Sequence, residues 1–371
     1  MTQSTAKAAS RILGLDVLRG LAVVLMMQQH LGVWLWVGPN RAQGETPMDY
    51  PLLLALNALG GGAAPMFIIL AGIGCSLLGT RRTVGVDRTL VLRGFALMGF
   101  GYLLNILTPS WFSWRSWYVL HLMGLGMLLT PALRRLSSRS LLILATVVVA
   151  LGPTLQTLLD TPTYMSNTRM AGWAGGGAGS EVLAGGHLRL AAVEGQFPIF
   201  PWLALFLGGL VAGRWVVAQR LRALLLCGGI LAATGGVMLG LYALRVPFAT
   251  AYQRVFGFNI PFFPCTVSTL LVVAGLVLLA ITALFALERR RPFSSGNVMV
   301  CLGRASLTLL LVHVWLFREI RPWGLWKNLA PGEVAMVMVG IIAAATLGAW
   351  WWKRIGFRFG AEWLVRVIGS R

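Results

Sequence analysis

Ten apolar runs, each closed by an arginine cluster, a Gly/Pro turn or a tryptophan-rich loop, make up the hydrophobic pattern of this chain. They extend approximately over 17 to 37, 52 to 78, 89 to 108, 117 to 133, 140 to 158, 198 to 213, 223 to 244, 264 to 287, 297 to 317 and 332 to 352. A helix crosses the hydrocarbon of a bilayer with about 20 apolar residues, and these runs are continuous. A β-barrel, the other closed solution for backbone groups in lipid, would need short alternating strands. The pattern predicts an all-α fold, a polytopic membrane helix bundle of about ten transmembrane helices, with residues 1–371 forming a single integral-membrane domain.

Composition narrows the class further. With 57% hydrophobic and 11% charged residues, and a mean hydropathy of +0.77, a soluble domain is excluded. Short cytoplasmic loops carry the Lys/Arg excess. Placing both termini in the cytoplasm collects twenty-two of the thirty-one basic residues there, with Arg19, Arg93 and Arg304 at inner helix ends. The net charge of +20 then lies almost wholly on one side, where it favours anionic lipid headgroups. A nucleic-acid partner is excluded, because it would need a soluble basic face.

The first apolar run is long, carries Asp16 and Arg19 at its start and lacks a small-residue cleavage site, so it is expected to stay as the first span. Cys75, Cys227, Cys265 and Cys301 lie in or beside spans without metal-ligand spacing. They read as small core residues, with neither a metal site nor a disulfide framework. Residues 38–51 and 159–197 are the long outer segments. The second contains AGWAGGGAGSEVLAGGH, whose glycine density predicts a flexible lid or irregular loop. A weak echo links APMFIILAGIGCSLLGTR to FPWLALFLGGLVAGR. Close helix packing at glycines explains it as well as duplication does.

Candidate chemistry comes from two arginine and histidine pairs inside these runs, Arg19 with His30 and Arg304 with His313. Ionisable side chains are costly in a membrane and mark function by default. At about 100° per residue, Asp16, Arg19 and His30 fall in one narrow sector of the first helix. Asp16 and Arg19, one turn apart, are placed to pair, and His30 lies about 16 Å further along. Arg304 and His313, nine residues apart, fall on opposite faces of a continuous helix. All four histidines, His30, His121, His187 and His313, map to the outer half. If the ends of spans one, four and nine meet, three imidazoles face one cavity. Imidazole suits proton abstraction near neutral pH.

The stretch RILGLDVLRGLAVVLMMQQH resembles the first transmembrane helix of the heparan-α-glucosaminide N-acetyltransferase family and its bacterial relatives, within a transmembrane acyltransferase superfamily. That superfamily also resembles the bacterial membrane O-acyltransferases of surface polysaccharides, whose first helix carries LDxxRG and a histidine eleven residues after the Arg. Arg19 and His30 keep that spacing. APMFIILAGIGCSLL, SWYVLHLMGLGMLL, FPIFPWLALFLGGLVAGR and LGRASLTLLLVHVWLF are similar to further motifs in the same order, together covering most of residues 11 to 366. In the lysosomal acetyltransferase an asparagine stands at the position of His30 and the catalytic histidine follows in the luminal loop. Residues 38–51 here hold no histidine, so the role of His30 follows the polysaccharide enzymes. RFGAEWLVR resembles a Gly-Pro-x-Glu-Trp ending of related bacterial membrane proteins, without its proline.

The resemblance implies acyl transfer across the bacterial inner membrane, from cytoplasmic acyl-CoA, most simply acetyl-CoA, to a saccharide or other hydroxyl or amine acceptor of the cell envelope. No metal is implied. His30 is the candidate base or acyl acceptor, with His313 and then His121 assisting. Asp16, Arg19, Arg81, Arg82, Arg88 and Arg93 are the candidate donor-binding residues, arginine being shaped for bidentate phosphate contacts. The thioester arm is expected to enter a passage lined by the polar stripe of the first helix. A homodimer is compatible with this reading. The alternative is a transporter of small or lipid-linked substrates, since glycine-rich spans with midplane charges are also transporter traits.

Overall fold

The computed structural model describes residues 12–81, 84–163, 186–244, 250–258, 263–319 and 324–369. Every predicted run is helical. In chain order the helices are α1 Leu13–Leu35, α2 Pro51–Gly60, α3 Ala63–Arg81, α4 Val86–Leu107, α5 Val119–Leu133, α6 Ser138–Leu158, α7 Ile199–Val217, α8 Leu221–Ala243, α9 Val267–Arg290, α10 Val298–Arg304, α11 Ser306–Glu319, α12 Pro331–Trp352 and α13 Ala361–Ile368. Starts fall where capping chemistry dictates: Ser137 caps α6, Thr266 caps α9 and Asn297 caps α10 through side-chain oxygens. Among the described residues the one strand-like pairing is an isolated bridge between Trp36 and Leu329.

Among the described residues seven helices are long and apolar enough to cross a membrane, or eight if α10 and α11 form one bent span. The first predicted run falls short of that test because Asp16, Arg19, Gln28, Gln29 and His30 interrupt α1, and α5 has only 15 residues. Two runs expected as single helices are divided. The second breaks at Gly61 and Gly62 between α2 and α3, and the ninth bends by 73° between Arg304 and Ser306. The bend removes the opposite-face argument for Arg304 and His313, which assumed one straight helix.

The two segments that echo each other, α3 and α7, pack side by side. A side chain at Gly72 would strike the backbone of α7, and one at Gly209 the backbone of α3. Each needs glycine because the backbones touch, the ordinary origin of small-residue helix contacts in membranes. The same device fixes the site. Gly20 of α1 and Gly303 of α10 lie backbone against backbone, so a side chain at either would run into Met299 or Asp16 carbonyl oxygen.

Arginine-rich turns gather at one end of the bundle. Asp87 pairs with Arg134 at 2.7 Å and Arg135 at 3.8 Å, while Arg214 donates to the Arg134 carbonyl at 3.1 Å. At the opposite end, residues 324–330 wrap the C-terminus of α1. Lys327 N–H donates to Trp34 carbonyl oxygen at 2.9 Å, and Leu329 N–H to Leu35 at 3.0 Å, meeting acceptors that a helix end leaves open. Within the outer segment expected to be an irregular lid, residues 164–185 with Trp173 lie outside the described residues. Its described end is ordered instead: Leu190–Glu194 form a π-helix in which buried Glu194 pairs with Arg189 at 2.7 Å.

Candidate active site

His30 and His313 meet. His313 Nδ1 lies 2.7 Å from the Leu309 carbonyl oxygen, which can only accept, so Nδ1 carries the proton. With both rings neutral, His313 Nε2 then holds the lone pair, and it faces His30 Nδ1 at 2.8 Å. His30 therefore donates from Nδ1, leaving its Nε2 as the ring atom with a lone pair. The dyad thus fixes the tautomer of His30 by the same logic that a hydrogen-bonded partner applies to a catalytic or metal-bound imidazole. His313 is buried and His30 half-buried.

Tryptophans wall the dyad. Trp34 lies parallel to His30 at 4.7 Å between ring centroids, and Trp111 meets it edge-on at 5.6 Å. The same two rings, with Trp326, surround the Arg318 guanidinium at 5.8, 5.2 and 4.7 Å, a cation–π arrangement. Ser110 secures this arginine: Arg318 donates to the Ser110 carbonyl at 2.7 Å, and Ser110 N–H donates to Glu319 at 2.9 Å. Arg318 and Trp326 escaped the sequence reading, although Arg318 is an ionisable group at the end of an apolar run, the property that singled out Arg19.

His121 does not join this dyad, which corrects the expected convergence of three imidazoles. It is buried among Tyr102, Trp117 and Tyr118, with ring centroids 4.5, 5.4 and 4.7 Å away. Its neighbour is His187, whose Nε2 accepts from the Tyr102 hydroxyl at 3.0 Å while Nδ1 donates to the Arg115 carbonyl at 3.0 Å. The reason is topological: the aromatic loop after α4 stands between α11 and α5. Trp111, Phe112 and Tyr118 stack in turn across it, at 4.6 and 4.5 Å, and fill the space a shared cavity would occupy.

At the arginine-rich end a cavity of about 470 Å³ opens between α1, α3, α4, α5, α10, α11 and α13. Asp16, Arg19 and Arg93 line it, joined by Arg304, Glu362 and Arg366. Arg19 pairs with buried Asp16 at 3.1 Å, the contact their one-turn spacing predicts. Arg304 stands over the Phe357 ring at 4.4 Å. Arg88 is exposed at the start of α4 and lines no part of this cavity; Arg82 lies outside the described residues, as does the side chain of Arg81. The cavity's walls rise as far as Leu120 and Leu310, and Leu310 is one turn short of His313. The expected open passage along α1 is closed in this conformation. Val23 and Met26, on the same stripe as Arg19 and His30 at about 100° per residue, are buried between them.

Among the described residues no group of three or more His, Cys, Asp or Glu is placed to hold a metal ion, and the four cysteines are unpaired in any disulfide. The fold and these two facing polar centres define a polytopic integral-membrane protein with ionisable groups at both ends of one helix. The sequence profile described as heparan-alpha-glucosaminide N-acetyltransferase, catalytic, matches residues 11–247, well over half of the chain. The chain belongs to that family, and so to the transmembrane acetyltransferases. Comparison with curated proteins gave no significant match. His30, Arg19, Arg93 and His121 fall inside the matched span, whereas His313, Arg318 and Glu362 lie beyond it.

Proposed function

We propose that this protein transfers an acetyl or related acyl group from acyl-CoA, bound at the arginine-rich end, to a hydroxyl or amine acceptor at the histidine end. The observation that carries the reading is the His30–His313 dyad, with its free Nε2 lone pair directed by a hydrogen-bond chain ending on a backbone carbonyl. His30 Nε2 takes the acceptor proton as the acceptor oxygen or nitrogen bonds to the thioester carbonyl carbon. The carbon–sulfur bond then breaks, and the departing thiolate takes that proton from Nε2. His313 stabilises the transient imidazolium through Nε2. Arg19, Arg93, Arg304 and Arg366 supply a cationic lining for the donor's phosphates. For the thioester to reach His30, the Met26 side chain must swing aside; methionine's three flexible bonds suit it to that movement.

The arginine-rich end is assigned to the cytoplasm on the charge rule. Residues 1–371 act as one unit in a bacterial inner membrane, with a saccharide of the cell envelope as acceptor. The test is release of CoA thiol from acetyl-CoA by the purified full-length protein. His30→Ala should slow it by about 10²–10⁴-fold in protein that still elutes as a folded species; near-normal release would defeat the assignment. One observation favours a second reading, transport: the 73° break at Ala305, since broken spans hold substrates in transporters. Ion-coupled substrate flux into proteoliposomes, without thioester cleavage, would establish that instead.

A further inference from the structure

The C-terminal helix α13 returns across the arginine-lined cavity and fastens onto α11, the helix that carries His313. Because the chain bends before Ser306, the first N–H groups of α11 have no carbonyl a turn earlier to bond. The Glu362 carboxylate fills that role. One oxygen accepts from Leu307 N–H and, at 3.0 Å, from Thr308 N–H; the other accepts from the Thr308 hydroxyl at 2.6 Å. The Thr308 hydroxyl in turn accepts from Ala361 N–H at 2.8 Å. Gly360 makes the approach feasible, because a side chain there would collide with the Trp352 ring and crowd the Thr308 hydroxyl. Glu362 lines a cavity containing four arginines, yet all its hydrogen bonds go to α11.

The opposite end of α11 is held as well, by the Ser110 contacts to Arg318 and Glu319. His313 lies between these two fastenings, about 7.5 Å along the helix from Thr308. A hydrogen bond tolerates only a few tenths of an ångström in length before it weakens, so the 2.8 Å contact to His30 requires α11 to stand at one height. We infer that Glu362 is a positioning residue for the dyad, holding α11 where His313 accepts the His30 Nδ1 proton. The inference rests on the acyl-transfer reading above.

The experiment measures thioester cleavage by purified full-length variants over a range of acetyl-CoA concentrations, with His30→Ala run alongside. Glu362→Ala should lower kcat by about 5- to 10-fold, approaching the loss of the His313 contact itself, and leave KM for acetyl-CoA within about twofold. Glu362→Gln, which keeps an oxygen for the α11 N–H groups, should restore most of the rate. Leu364→Ala, on the exposed side of α13, should behave as wild type. Wild-type kcat in Glu362→Ala beside an inactive His30→Ala overturns the inference alone. So does a Gln variant no better than Ala, or a loss confined to KM. An active His30→Ala defeats the acyl-transfer reading itself. Should Glu362→Ala fail to fold, Thr308→Val removes the hydroxyl half of the fastening, and an unchanged kcat in that variant also overturns the inference.

Discussion

Replacing His313 with leucine separates its role from that of His30. The substitution removes the acceptor of the His30 Nδ1 proton, a 2.8 Å contact, while keeping an apolar side chain in a buried position. In the resting enzyme that contact is a hydrogen bond between neutral rings, worth about 0.5–1.5 kcal/mol; once His30 has taken the acceptor proton it is a bond from a cation, worth about 1.5–3 kcal/mol. Only the difference, about 1–1.5 kcal/mol, bears on the chemical step, which converts to about 5- to 12-fold in kcat. The assay is thioester cleavage at saturating acetyl-CoA in wild type, His30→Ala, His313→Leu and the double variant. On the proposed relay, in which His313 acts through His30, its removal should cost nothing further once His30 is gone, a non-additivity typical of residues acting as a unit. A full extra loss in the His30→Ala background, or no loss in the wild-type background, would refute the relay.

Two other outcomes follow from features away from the dyad. Met26→Phe puts a stiffer, larger side chain on the stripe between Arg19 and His30; acetyl transfer should fall by about tenfold or more while acetyl-CoA binding, measured calorimetrically, stays unchanged. The loop after α1 should respond to acid. Hydrogen bonds from Tyr50 and then Asn40 hold the Glu45 carboxyl below its ordinary range, and those from Thr46 do the same for Asp49. A carboxylate whose folded pKa is depressed stabilises the fold fully above its unfolded value, and that contribution is lost as pH falls through the depressed value. Hydrogen-exchange protection of Asn40 and Thr46 should therefore hold at pH 6 and drop as pH falls below the ordinary values of 4.5 and 3.8, with Glu45→Gln flattening the response at Asn40.

Much of the helical architecture was legible, because continuous apolar runs have one solution in lipid and because charge breaks marked their ends. The Asp16–Arg19 pair was legible for the same reason that i, i+3 neighbours share a helix face. What periodicity could not show was the bend at Ala305. It leaves no proline or doubled glycine in CLGRASLT, and it falls beside Gly303, which seats against the backbone of α1, a tertiary fact. At that bend the opposite-face argument for Arg304 and His313 loses its premise of one straight helix. The partnership of His121 with His187 was hidden because the eleven-residue aromatic loop 108–118 decides which histidines share a space. Glu362 was visible only as a residue in a familiar ending; its hydrogen bonds reach 54 and 55 residues back along the chain.

His30 and His313 stand 283 residues apart in sequence, and the helix that fastens α11 comes later still. At about 5–20 residues per second of synthesis, the imidazole of α1 is in place for roughly 15–60 s before its partner leaves the ribosome. During biogenesis the first helix must therefore be accommodated while His30 lacks that partner, although Asp16 and Arg19 can already pair within it. On the acyl-transfer reading proposed above, catalytic competence is then among the last properties the nascent chain acquires, and an arrested or C-terminally clipped product would sit in the membrane as an inert bundle.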